Sequence, residues 1–220
     1  MQLLDDLRRE HELIDRVLGS LRAFVSARLS GGGDPADGAR FLAFFRHFAG
    51  TFHHDKEEAV LFRALVEKAE LPGDRGPVAA ITGEHRRMGS LLEALAGLLD
   101  GPLATEPDRT RLQALAVDYS WSLWRHIDAE NSVLFPEGEE RLRRAHVREL
   151  PSRPMTDVER AAREAGLALL ETYPPQADPQ APRGDGCVNC ASFGTTCEGL
   201  EAEWWTDLEW EDHWDRMQSD

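Results

Sequence analysis

The sequence predicts an all-α fold: an up-down-up-down four-helix bundle with an additional helix and a Cys/Trp-rich irregular C-terminal extension. Three observations predict it. A motif occurs twice, as His53-His54-Asp55-Lys56-Glu57-Glu58-Ala59-Val60-Leu61-Phe62 and as His126-Ile127-Asp128-Ala129-Glu130-Asn131-Ser132-Val133-Leu134-Phe135, both reading His-x-x-x-Glu-x-x-Val-Leu-Phe. Each copy follows a Glu-His pair, Glu10-His11 by 42 positions and Glu84-His85 by 41, so the repeat unit is a pair of helices 73 to 74 residues long. Finally, apolar residues recur at intervals of three and four, and the breaks between such segments are short, which favours antiparallel neighbours.

The first helix, about 2–29, carries Leu3, Leu4, Leu7, His11, Ile14, Leu18, Leu21 and Val25 on one stripe, and Gly31-Gly32-Gly33-Asp34-Pro35 breaks it. A second, about 36–70, leads an aromatic wall of Phe41, Phe44, Phe45, Phe48 and Phe52 into the first motif. Dense turn chemistry at 71–77 precedes a third, about 77–99, with Ile81, His85, Met88, Leu92, Leu95 and Leu99. After Asp100-Gly101-Pro102 the fourth, about 107–134, aligns Leu112, Leu115, Tyr119, Leu123, His126, Glu130 and Leu134; Pro136 stops it, and a charged helical segment runs on to about Leu150. Thr156-Asp157-Val158-Glu159 is a capping box that starts one more helix, about 156–172, ended by Pro174-Pro175. Residues 174–186, rich in Pro, Gly and Asp, read as linker. An acidic tail follows with Cys187, Cys190 and Cys197 and with Trp204, Trp205, Trp210 and Trp214.

Composition divides the chain at the same place. Residues 151–220 hold 5 Lys+Arg against 15 Asp+Glu, a net of −10 out of −15 for all 220 residues, so 1–150 reads as the bundle and 151–220 as a helix, linker and tail with a surface chemistry of its own. Such acidity excludes a nucleic-acid partner, which needs clustered Lys and Arg. No apolar run approaches a membrane span, and the start lacks the basic-then-apolar layout of a secretory signal, so a cytoplasmic protein is expected. Four tryptophans in an acidic tail are more aromatic than disorder favours, which points to docking on the protein itself or on a protein partner.

A His and a Glu four positions apart on a helix are separated by roughly 40° and about 6 Å, so both converge on one point beside it. A single His on an apolar stripe is ordinarily a satisfied core residue. Four of them, with two carboxylates, repeating at matched offsets on inner faces would be costly without a cation to ligate and neutralise them. The metal-ligand candidates are therefore His11, His53, Glu57, His85, His126 and Glu130. His54 and Glu58 form a second His-x-x-x-Glu turned about 100° from the first and could replace His53 and Glu57; the alignment with His126 and Glu130 favours the latter pair and leaves His54 as a surface or outer group. Tyr119 and Asp15 are candidates to support the ligands. Cys187-x-x-Cys190 with Cys197, and His213 as a fourth group, form a possible second metal site for Zn, or a thiol switch.

In the order His11, His53-x-x-x-Glu57, His85, His126-x-x-x-Glu130 the chain resembles the hemerythrin-like (HHE) cation-binding domain over about residues 1–147. The resemblance implies a non-haem di-iron centre with two Fe, bridged by Glu57 and Glu130, with His11, His53, His85 and His126 as terminal ligands; spacing alone equally suits Zn or Mn. Oxygen-carrying members have a further histidine one turn after the position of His85, where this chain has Gly89, so the resemblance implies an open coordination position. The function it implies is binding of, or reaction with, O2, peroxide or NO in a sensing or redox role. The alternative is a di-iron oxidase, oxygenase or peroxide-decomposing enzyme using the space near Gly89.

Overall fold

Nothing in residues 2–29 interrupts the apolar stripe, and the first helix is correspondingly long. The computed structural model describes residues 1–184, and in it α1 spans Gln2–Leu29 and buries Leu3, Leu7, Ile14, Leu18 and Leu21. Gly31 (φ 84°) and Gly33 (φ 70°) end it in the left-handed region, where a Cβ is disfavoured. Asp34 then caps α2 (Pro35–Ala43) by accepting from the Ala36 amide at 2.9 Å.

The second rod is composite. Beyond α2 the chain winds as π-helix over Phe44–His54 and again over Glu57–Phe62, then returns to α-helix in α3 (Arg63–Ala69). The third rod is α4 (Gly76–Leu99), and the fourth is α5 (Glu106–Ala129), opened by a Thr105–Asp108 capping box, then a π-wound turn Glu130–Leu134 and α6 (Phe135–Arg144). Both repeated motifs thus sit where the winding widens, a feature that clusters at functional sites. The four rods form the up-down-up-down bundle, and among the described residues there is no strand.

Two apolar clusters fill the bundle, one built on Leu18, Phe41, Phe44, Phe45, Phe48 and Leu123, the other on Leu4, Leu7, Leu61, Phe62, Leu134 and Phe135. Along every rod the changeover between them falls at a predicted ligand: His11 between Leu7 and Leu13, His53 and Glu57 between Phe52 and Leu61, His85 between Ile81 and Met88, and Glu130 between Ile127 and Leu134. A polar layer therefore crosses the molecule at one level.

The additional helix, α7 (Asp157–Thr172), starts from the Thr156–Glu159 capping box and adds Ala162, Leu169 and Leu170 to the first cluster. Gly166 is what lets it come so close, since a Cβ there would lie 2.3 Å from the Phe44 ring. The linker that follows is pinned rather than free. The Gln176 amide donates to the Gly19 carbonyl at 3.1 Å, Asp178 accepts from Arg22 at 3.1 Å and from the Trp121 indole at 2.9 Å, and Arg183 forks onto Asp128 with two 2.8 Å bonds. Composition reads as linker because these partners are distant in sequence. Cys187, Cys190, Cys197, His213 and the tail tryptophans lie outside the described residues. Among the described residues no helix is long and apolar enough to cross a membrane.

Candidate metal centre

The polar layer resolves into two groups that could each hold a metal ion: His11, His53, Glu57 and Glu130, and His54, Glu57, His85 and His126, the donor atoms within each lying within 4.8 Å of one another. Glu57 belongs to both. Its Oε1 is 3.2 Å from His53 Nε2 and 3.6 Å from His11 Nε2, while its Oε2 is 3.4 Å from His85 Nε2. Glu130 Oε2 lies between His11 Nε2 at 3.1 Å and His126 Nε2 at 3.2 Å. All six predicted side chains are therefore brought together, with Glu57 offering one oxygen to each group.

Both oxygens of Glu57 and of Glu130, and the Nε2 atoms of His11 and His54, are buried without a hydrogen-bond partner. Orphaned acceptors of this kind cost about 1–3 kcal/mol each. Two carboxylates and five imidazoles form an N/O donor set of the kind that first-row transition metals take. The residues fit a pair of such cations, which would satisfy the orphaned atoms.

The imidazoles are aimed from behind. His53 Nδ1 bonds Glu10 at 2.9 Å, His126 Nδ1 bonds Glu84 at 3.0 Å, His85 Nδ1 bonds Glu58 at 2.7 Å and His11 Nδ1 bonds Asn131 at 3.0 Å. Donating Nδ1–H to a carboxylate or amide oxygen fixes the ring orientation, so Nε2 is the atom turned inward, where a cation would take its lone pair. The repeated Glu-His pairs acquire a role here: Glu10 and Glu84, each preceding one histidine, reach across to the histidine of the next rod. Lys56, 1% exposed, backs Glu10 and lies 4.2 Å over the Phe52 ring, and Arg125 backs Glu84 at 3.5 Å. Sequence reasoning did not assign these supports. Their signal was the repeated glutamate before each lone histidine.

Charge in the cluster is strongly coupled to this geometry. Burial alone would push the His11 imidazole down, but Glu130 and Glu57 outweigh it and carry it up to about 10. Burial also opposes ionisation of Glu57, yet His53 and His11 hold it well below the usual carboxylate range. His54 goes the other way: burial, reinforced by His85, drives it well down, so it is neutral and free to ligate. Expected as a surface or outer group, His54 instead stacks on His85 with ring centroids 3.8 Å apart and joins the second group. Asp15 bonds Arg183 rather than any imidazole. Tyr119 is buried, and burial raises its pKa.

The two groups differ in access. His11, His53, Glu57 and Glu130 are all buried, and Phe135 stacks on His11 with ring centroids 5.3 Å apart and planes 1° from parallel. The other group borders, through His54 and His85, a half-open cleft of about 370 Å³ that Tyr119 and Gly89 also line. A Cβ on Gly89 would meet nothing within 4 Å.

The family model of the hemerythrin HHE cation-binding domain matches residues 2–137. The chain is also similar to the iron-sulfur cluster repair protein YtfE of Edwardsiella ictaluri (strain 93-146), 34% identical over 87 residues, which cover 38% of this chain and 39% of that protein. The match thus spans well under half of the relative's length. No solved structure matches the chain.

Proposed function

Since the chain belongs to the hemerythrin HHE cation-binding domain family, we propose that it is a non-haem di-iron protein that binds and responds to O2, peroxide or NO. The observation that carries this reading is Glu57, buried, with one oxygen toward each histidine group and neither oxygen hydrogen-bonded. Iron is favoured over Zn or Mn by the family and by a relative named for iron-sulfur cluster repair. In this reading His11 and His53 would hold one ion and His54, His85 and His126 the other, with Glu57 and Glu130 as the carboxylates that would serve both.

Iron bound there would supply the affinity for, and the electrons to reduce, a small oxidant. The chain's own residues do the rest. Phe135 and Phe52, both buried, keep water from the His11 and His53 side. The Nδ1 partners keep the imidazoles from turning, and the cleft at His54 and His85 admits the ligand to the other side alone. Metal analysis and an absorption spectrum of protein purified without added metal test the reading. About two irons per chain are expected, with near-ultraviolet bands that change on exposure of the reduced protein to O2 or NO; a chain carrying only zinc after iron reconstitution overturns it.

One observation favours a second reading, a di-iron oxidase, oxygenase or peroxide-decomposing enzyme: the cleft is several times larger than a diatomic ligand needs. Sustained peroxide loss or O2 consumption by the reduced protein would establish turnover, whereas a stable adduct without turnover supports the sensor.

A further inference from the structure

The cleft beside His54 and His85 is built for more than a gas. Phe45, Met88, Leu92 and Tyr119, all buried, form its inner wall. A cavity of roughly 150 Å³ is enough to hold benzene, and this one, at about 370 Å³, has more than twice that volume and falls within the size range of small-molecule sites.

Its chemistry selects against a charged ligand. Arg46 and Arg86 share the rim with Asp55, Glu58 and Glu93, so the charge there is mixed, and the Arg46 guanidinium is committed to Glu93 by two bonds of 2.8 and 2.7 Å. No uncommitted cluster of one sign remains. Inside, the Tyr119 hydroxyl has no hydrogen-bond partner among the described residues, and its ring is held edge-on by Phe45 at 5.2 Å. A hydroxyl on the cleft wall with no protein partner can donate to a ligand oxygen in place of water.

We propose that this cleft binds a small, uncharged aromatic molecule of one or two rings carrying an oxygen acceptor, with Tyr119 donating its O–H to that oxygen and the ring lying against Phe45, Met88 and Leu92. As a co-substrate site the cleft rests on the di-iron reading; as a binding site it does not. Gly89 is the threshold. It lies on an exposed stretch of α4, and its missing side chain leaves the way in open.

The test uses 2-naphthol, uncharged at neutral pH, titrated into the full chain with and without bound metal, alongside naphthalene, which lacks the hydroxyl. A Kd on the order of 0.1–1 mM is expected for 2-naphthol from the size of the ligand. Gly89→Trp, whose added atoms have open space to occupy, should abolish binding of both probes. Tyr119→Phe should weaken 2-naphthol by about three- to tenfold, the loss of one hydrogen bond, and leave naphthalene unchanged. With metal bound, the probe's proton resonances should broaden by paramagnetic relaxation. No binding, or binding indifferent to Gly89→Trp, overturns the proposal. Metal content measured on the same samples keeps the two readings apart: a chain that takes up no metal but binds the probe with this pattern sinks the di-iron reading and upholds the cleft, and a metal-loaded chain that ignores the probe does the reverse.

Discussion

The two halves of the repeat build the same frame and finish it differently. His53 and His126 take equivalent carboxylate partners, Glu10 and Glu84, and the phenylalanines that close each motif stack on equivalent histidines, Phe62 on His85 and Phe135 on His11. Of the four aligned pairs at which the motifs differ, two decide access, His54 against Ile127 and Glu58 against Asn131. Ile127 packs into the apolar core, whereas His54 adds a third imidazole to one group and lies at the cleft. Glu58 is half-exposed at the cleft behind His85, while Asn131 is a neutral partner behind His11. The shared frame supplies the repeated donor groups; its failure at these positions makes one side sealed and the other accessible.

Breaking what the halves share should have the largest effect. Glu57→Gln keeps the shape but removes the carboxylate that faces both groups, and metal affinity should fall by more than the roughly 10–100-fold typical for loss of an outer partner, with both ions affected. Metal analysis after gel filtration reads the outcome. Retention of two ions would mean that Glu57 does not bridge.

Making the halves alike comes next. His54→Ile copies Ile127 into the first half and should lower bound metal toward a single ion, with the sealed group intact. Loss of both ions in step would mean that the groups are not separable.

The supports are equivalent in geometry but not in burial. Glu10→Gln and Glu84→Gln should each weaken metal binding by about 10–100-fold. Only the first strands a buried cation. Lys56 is 1% exposed, so it should lose roughly 3–5 kcal/mol of stability besides, while Arg125, 36% exposed, should cost little. Adding Lys56→Met to Glu10→Gln should restore thermal stability without restoring metal affinity.

The rods and the meeting of the six repeated His and Glu side chains were legible in the sequence because periodicity and spacing record them directly. His54 was legible only as a replacement for His53 and not beside it, because α-helical steps of about 100° turn the two apart; the wider π winding over Phe44–His54 lets both adjacent histidines face the interior. The Glu10 and Glu84 roles needed the rods to be set side by side, since each glutamate serves a histidine more than 40 positions away. The pinned linker was illegible for a related reason: Asp178 and Arg183 find partners on α1 and α5 that leave no local pattern. The cleft is a gap between rods, which no motif spells out.

The smallest expected effect concerns a brace that only the first half has. Arg153 lies 5.0 Å from the Phe52 ring and grips Glu159 at 2.8 Å, tying the start of α7 to the rod that carries His53. Arg153 and the Thr156 cap hold the Glu159 carboxyl down to about 2. A depressed carboxylate stabilises the fold at pH values above its ordinary 4.5 and loses that contribution as pH falls through about 2. Metal-free wild type should therefore melt above Glu159→Gln at pH 6, by about 1 kcal/mol or less for a pair this close to the surface, and the two melting curves should converge as the pH approaches 2. A difference that persists unchanged in acid would assign the effect to packing of α7 on Phe44 instead, and the first half would then owe its extra bracing to Gly166 rather than to charge.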